Sequence, residues 1–459
     1  MSVKELLERY QNTPRLFQLA DKLSFAPAQK IYLENLQGSS SQFIVAAAFT
    51  HPSLSQLNHL IILNDAEEAA YFHNTLENLT EALDIFYFPS SFKNRKNYQL
   101  LNSSHVMLRT EALTKIAAGG NKKVLVTYPE ALFEKVVLPG TLSSNIIHIK
   151  TGDTINTEQL LLKLADYGFE RTDFVYEPGQ FAIRGGILDI YSFGNEKPYR
   201  VELFGNEVDS IRIVDPETQL SERKLLQVSI IPNVDTQFKS EDRISLFEFL
   251  PENTVVWIQD YELCKEHIAD SEEDLNGFLR LQEEIKNQPS RSRKEEADEN
   301  LSKKDVRTDD FISVTEFEKK MFERHVVAFG HKDSFPAHYP AFTIQHHTKE
   351  QPSFNRQFDL LIRDLKGWEA KKYQLFIFAE NPRQLERLQS IFDDLKAEIV
   401  FNPIATSVHE GFIDEDLQVV CYTDHQVFQR YHKYKVKQAY NKNKALTLRT
   451  LRELQPGDF

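Results

Sequence analysis

The sequence predicts an α/β protein: a parallel-sheet domain of degenerate nucleotide-binding type, interrupted by a small α+β module and followed by a further α/β domain. Three observations predict this. Short apolar strands alternate with helices up to about residue 148. Turn signals then crowd together at Pro178-Gly179, Gly185-Gly186, Gly194-Asn195 and Gly205-Asn206. Strand–helix alternation resumes after residue 349. A parallel crossover needs a covering helix, so alternation selects a parallel sheet, whereas close-set turns select an antiparallel meander.

Within the first domain, 1–148, a charged helix opens the chain and a strand is expected at 30–33, ahead of an apolar stretch at 43–49. Further strands are expected at 59–63, 85–88 and 123–127, with a helix at 67–79. The module at 149–225 begins with a helix at 157–167, with Leu160, Leu161, Leu164 and Tyr167 on one face and Gly168 as C-cap. Residues 226–348 continue the first domain, with a strand at 254–258. The polar run at 288–310 mixes both charge signs and reads as a solvated, flexible insertion. From 349 to 440 the pattern is a strand at 373–378, a helix started by Asn381-Pro382, strands at 398–401 and 418–422, and a helix capped by Asp424. Residues 441–459 read as a polar linker that stops on Gly-Asp-Phe, where a strand should begin, as at an artificial boundary.

The 459 residues are 41% hydrophobic and 27% charged, an ordinary globular balance. The apolar runs are too short to span a membrane, and the charged N-terminus is not a signal peptide. Cys264 and Cys421 lie far apart without a ligand framework, which fits a reducing cytoplasm. A net charge of −14 argues against nucleic acid as the main partner, since phosphate contacts call for a basic surface.

The first strand and the helix after it stand where a phosphate-binding loop would be. That loop needs glycines for close backbone approach, a lysine to neutralise phosphate and a hydroxyl for Mg²⁺. Here the stretch is Asn35-Leu-Gln-Gly-Ser-Ser-Ser-Gln42. After Gly38 and Ser39, Ser40 replaces the second glycine, Ser41 the lysine and Gln42 the hydroxyl residue. The loop is therefore read as non-functional, with no cofactor. His331, His338, His346 and His347 lack a ligand spacing and read as a loop, and Asp414-Glu-Asp416 reads as a solvated turn. No catalytic residue and no metal ligand is assigned.

One stretch carries a resemblance. Tyr176-Glu-Pro-Gly-Gln-Phe-Ala-Ile-Arg-Gly-Gly-Ile-Leu-Asp-Ile-Tyr191, with Pro198 to Arg212 and Asp215-Pro-Glu-Thr-Gln219, resembles the UvrA-binding domain shared by UvrB and the bacterial transcription-repair coupling factor family, Mfd. The degenerate loop, and the lack of room after Phe88 for a tyrosine-rich damage-probing hairpin, favour the second family over UvrB. Residues 420–428 and 449–459 resemble that family's third domain and the approach to its polymerase-interacting domain.

The resemblance implies a non-catalytic part of a coupling factor that recruits UvrA to lesion-stalled RNA polymerase in nucleotide excision repair. Polymerase, DNA and ATP-driven translocation would belong to domains beyond those matched here, and an intramolecular mask over the UvrA surface is an arrangement the family allows. The alternatives are an ATP-dependent DNA translocase and a UvrB-like damage-binding protein. By the same resemblance the UvrA-facing arginines fall at Arg171 and Arg184, while a third falls at Ala182 and is lost. Alternation along the strand puts Phe181 and Ile183 on one face, Ala182 and Arg184 on the other. The alternatives for these residues are an exposed strand arginine in a surface ion pair of little worth and, for an alternating phenylalanine, a place in the core. With the resemblance, Arg184, with Phe181 as a candidate neighbour, is expected to bind protein, because arginine and aromatic residues anchor interfaces. The Gly185-Gly186 pair is expected to permit a bulge or a positive φ that re-aims the strand.

Overall fold

The computed structural model describes residues 2–25, 27–80, 84–94, 96–287 and 306–434. Most of the insertion expected at 288–310, and all of the linker at 441–459, lie outside the described residues.

Seven parallel strands form the main sheet, in the order Phe342–Gln345, Lys30–Glu34, Val326–Ala328, Thr254–Ile258, Asn58–Ile62, Val124–Thr127 and Ile85–Tyr87. Its central strands are buried on both faces, which explains their unbroken apolar runs. Helix Ser40–Thr50 is apolar all round because it lies between this sheet and the third unit: Phe43 packs 5.3 Å from Phe412 and 5.9 Å from Phe378.

The sheet's strands come from both sides of the small module. That module hangs from a two-stranded neck, Ile147–Lys150 antiparallel to Gln227–Ile230. Beyond the neck lie helix Thr157–Asp166 and a six-stranded sheet built on the hairpins the turn signals announced. A buried ion network sits beside the junction. Arg109, fully buried, lies 3.4 Å from Glu134 and 3.6 Å from Asp235, and its guanidinium stacks on Phe88.

The third unit is a five-stranded mixed sheet, in the order Thr348–Glu350, Phe412–Asp414, Val419–Thr423, Gln374–Phe378 and Asn402–Ile404. The last of these corrects the strand expected at 398–401. Helix Pro382–Asp394 closes with Lys396 at φ +53°, and the chain then spends residues 397–401 reaching the sheet, with Val400 80% exposed. Register begins only where Asn402 pairs with Phe376. Asp424 is the first residue of helix Asp424–Val427, with Thr423 in the cap position.

Two other expectations are corrected. A short hairpin does follow Phe88, Phe92–Asn94 with Asn97–Leu101; its Tyr98 is buried, with the hydroxyl donating to Ser271 O at 3.1 Å. Asp414 is not in a solvated turn. It ends a buried strand and accepts from the Tyr10 hydroxyl at 2.8 Å and from the amides of Asp416 and Leu417 at 3.0 Å.

Candidate protein-binding face and the degenerate loop

Arg184 ends strand Gln180–Arg184, which pairs with Ile187–Ile190 through a two-residue turn. Gly185 has φ +60°, the positive value a type II′ hairpin needs at its first loop residue. At Gly186 a Cβ would come 2.6 Å from Leu203 O on the neighbouring strand. The glycine pair therefore reverses the chain rather than re-aiming it, and that reversal brings Asp189 beside Arg184.

Asp189 is fully buried and holds two arginines. Arg184 Nη2 donates to its Oδ2 at 2.5 Å, while Arg200 grips it with Nε to Oδ1 at 2.8 Å and Nη2 to Oδ2 at 2.9 Å. The hydrogen-bonded carboxylate holds the Arg200 guanidinium above its ordinary value. Arg184 also donates to Asp173 O at 2.5 Å, and its guanidinium carbon lies 4.7 Å from the centre of the Phe174 ring, itself 45% exposed. The result is an arginine held by a buried carboxylate and backed by an aromatic ring, with 36% of its side chain open to solvent. Such a group can offer its free edge to a carboxylate at little ordering cost.

The same face carries a cross-strand row, Ala182–Asp189–Arg200–Arg212–Lys224, read from the paired registers. Ala182 is buried with Val175 and Tyr191, under the loop that carries Phe174. Residue 182, where the resemblance would put a third arginine, is thus covered.

Phe181 points the other way and is 4% exposed, in the main core. Its ring is not available to a partner, which corrects its assignment as a contact residue: alternation sends residue 181 inward once Arg184 is outward. Arg171 lies on the two-residue edge strand Glu170–Arg171 and is exposed, its guanidinium unpaired among the described residues. Its register partner is Phe181, so Arg171 and Arg184 sit on opposite faces of the sheet. The contributions of Asp189, Phe174 and Arg200 were not assigned from sequence. One signal was available: an aspartate flanked by apolar strand residues in Leu188-Asp189-Ile190 must find a charged partner if buried.

The degenerate loop lies at the C-terminal end of strand Lys30–Glu34, the crest where parallel sheets take ligands. Ser39 and Ser40 are fully buried and Gln42 nearly so, while Ser41 is partly buried and donates to Gln42 Oε1 at 3.0 Å. The Ser39 amide donates to Glu410 O at 3.2 Å. Of the four clustered histidines, His346 is buried and His347 pairs with Asp416 at 2.9 Å. Among the described residues, no group of three or more His, Cys, Asp or Glu could hold a metal, and no helix is long and apolar enough to cross a membrane.

Residues 147–235, the module and its neck, match the family model of the UvrB interaction domain. Similarity to known proteins extends over nearly the whole chain. The transcription-repair-coupling factor of Staphylococcus haemolyticus is 23% identical, covering 98% of this chain and 42% of that protein. That of Bacillus subtilis is 23% identical, covering 93% and 40%, and one from Staphylococcus aureus is 22% identical, covering 87% and 38%. The likeness of this chain, at low identity, is to transcription-repair-coupling factors. The chain spans about two-fifths of the length of the relatives it matches. Within the coupling-factor likeness, the arginine-bearing sheet face falls inside the matched interaction domain.

Proposed function

We propose that this chain is a non-catalytic recruitment module for UvrA in transcription-coupled nucleotide excision repair, with Arg184 as a central contact and Arg171 as a second contact at the sheet edge. The observation that carries the reading is Arg184 itself, ordered by buried Asp189 on the exposed face of the matched domain. An arginine fixed this way suits an acidic partner, because its fork is already oriented before binding. The non-catalytic part of the reading rests on the degenerate loop, whose Ser39 amide is spent on Glu410. RNA polymerase, DNA and any ATP-driven movement would engage parts of a coupling factor outside the span matched here.

The test is a calorimetric titration of purified UvrA against the whole chain, beside Arg184→Ala and Arg184→Glu. The alanine variant should weaken binding about thirtyfold, equivalent to about 2 kcal/mol. The charge reversal should be worse, since it adds repulsion to the lost contact. Wild-type affinity in both variants would refute Arg184 as the contact.

A further inference from the structure

The coupling-factor likeness accounts for the interaction module but assigns nothing to the crest loop, and the loop is not idle. We propose that residues 37–41 are a docking socket for the third unit, whose Glu410-Gly411 turn occupies the place a phosphate would take in a working nucleotide loop. This does not depend on the UvrA reading.

Four hydrogen bonds and one close backbone approach carry it. Ser39 and Glu410 bind each other reciprocally: the Ser39 amide donates to Glu410 O at 3.2 Å, and the Glu410 amide donates to Ser39 Oγ at 2.9 Å. Ser39 is the N-cap residue of helix Ser40–Thr50 yet makes no side-chain cap bond, so its hydroxyl serves the third unit instead. Gly38 has φ +51°, and a Cβ there would stand 2.5 Å from Gly411 O. Glycine is required at 38 because another backbone comes this close. The Gln37 amide donates to Thr348 Oγ1 at 2.8 Å, and that hydroxyl donates to Asn35 O at 2.8 Å, tying the loop to the third unit's edge strand.

Backbone amides at a helix N-terminus favour an oxygen carrying negative charge. A peptide carbonyl oxygen is the neutral version of that ligand, and it is covalently supplied by the same chain. Loss of the lysine and the metal-holding hydroxyl then follows chemically: a cation at residue 41 would have no phosphate to neutralise. The socket's consequence is mechanical. It fixes the third unit on the crest of the main sheet, with Phe43 clasped between Phe378 and Phe412.

Hydrogen exchange read by mass spectrometry on the whole chain tests this. Ser39→Ala removes one hydroxyl from the socket without disturbing the main chain, and Gly38→Ala adds a clash with Gly411. Exchange in segments 37–43 and 408–414 should rise about tenfold or more in both variants, while strand Asn58–Ile62 keeps wild-type protection. Should Gly38→Ala fail to fold, Ser39→Ala decides alone. Unchanged exchange at 408–414 would overturn the proposal. So would loss of protection there on adding millimolar Mg-ATP to the wild-type chain, because the loop would then still prefer nucleotide to its present occupant.

Discussion

Arg184 and Asp189 meet across a two-residue hairpin at 2.5 Å, and only the carboxylate is buried. This asymmetry separates their mutational effects. Arg184→Ala leaves Asp189 with both hydrogen bonds from Arg200, so folding should lose only about 1 kcal/mol. Asp189→Asn strips the charge partner from two arginines at once and should cost about 3–5 kcal/mol, as breaking a buried pair does. Urea melts of the two variants check this. Equal destabilisation would mean that Arg200 does not hold the carboxylate by itself.

Phe181→Ala is a core truncation in this fold, not an interface change. The ring is 4% exposed in the main cluster, so the substitution should cost about 3–5 kcal/mol of stability. In a variant still folded at low temperature, UvrA affinity should stay near wild type. A stable Phe181→Ala chain with weakened binding would place the ring at the surface.

Much of this was legible in the sequence because the period of the apolar residues was strong. Thr254–Ile258 appears with the bounds expected, and helix 67–79 gains one residue, Ala66, behind the Asp65 cap. The glycine turns were legible because Gly179, Gly185 and Gly205 sit where φ is positive, a Cβ at Gly186 would meet Leu203 O and one at Gly194 would meet the Ile231 side chain. Strand 402–404 was misplaced by a few residues because Ile399 and Val400 look like strand residues while serving as a loop; how far the chain must travel to the sheet edge is a tertiary fact. Arg184 could be singled out, but its setting could not. Hairpin register brings Asp189 to it, and the parallel pairing of the edge strand sends Arg171 to the other face. The occupied crest loop was also out of reach, since Ser39 and Glu410 are far apart in the chain.

Beside the module's neck, Arg109 is fully buried with Glu134 and Asp235 and donates to Pro89 O at 2.9 Å. Glu134 in turn accepts from Ser90 Oγ at 2.6 Å and from the Ser91 amide at 2.8 Å. Removing the cation would leave two buried carboxylates without it. Arg109→Ala should therefore cost about 3–5 kcal/mol, measured as a shift in the urea midpoint. A loss below about 1 kcal/mol would show that the hydrogen bonds alone satisfy Glu134.

Acid should destabilise the chain through its histidines before its carboxylates. Burial holds His59 down to about 3, and holds His346, His409 and His425 down to about 4. An unfolded histidine titrates near 6.5, so below about pH 6.5 the unfolded chain binds protons that the folded chain refuses. Stability is full above about 6.5 and falls as pH drops toward 4, each group contributing up to about 1.4 kcal/mol per unit. Asp414 and Asp424, whose carboxyls burial raises, act in the opposite sense. Urea midpoints at pH 7.5 and 5.5 should differ clearly, and His409→Gln with His425→Gln should reduce the difference. A midpoint unchanged over that range would contradict the burial of these rings.

Arg171 and Arg184 can be tested as a pair because the register puts them on opposite faces of one sheet. Arg184 is held by Asp189 and backed by Phe174, whereas Arg171 is exposed and unpaired among the described residues. An ordered arginine loses less freedom on binding than a mobile one. Arg184→Ala should therefore cost UvrA affinity more than Arg171→Ala, about 2 kcal/mol against about 1 kcal/mol. With no shared partner between them, the double variant should lose the sum of the two within about 0.5 kcal/mol. Calorimetric titration of UvrA against the three variants, each with its own melt, measures every term. A double variant no weaker than Arg184→Ala would remove Arg171 from the contact. Strong coupling between the two would mean that one acidic group on UvrA reaches around the short edge strand to both.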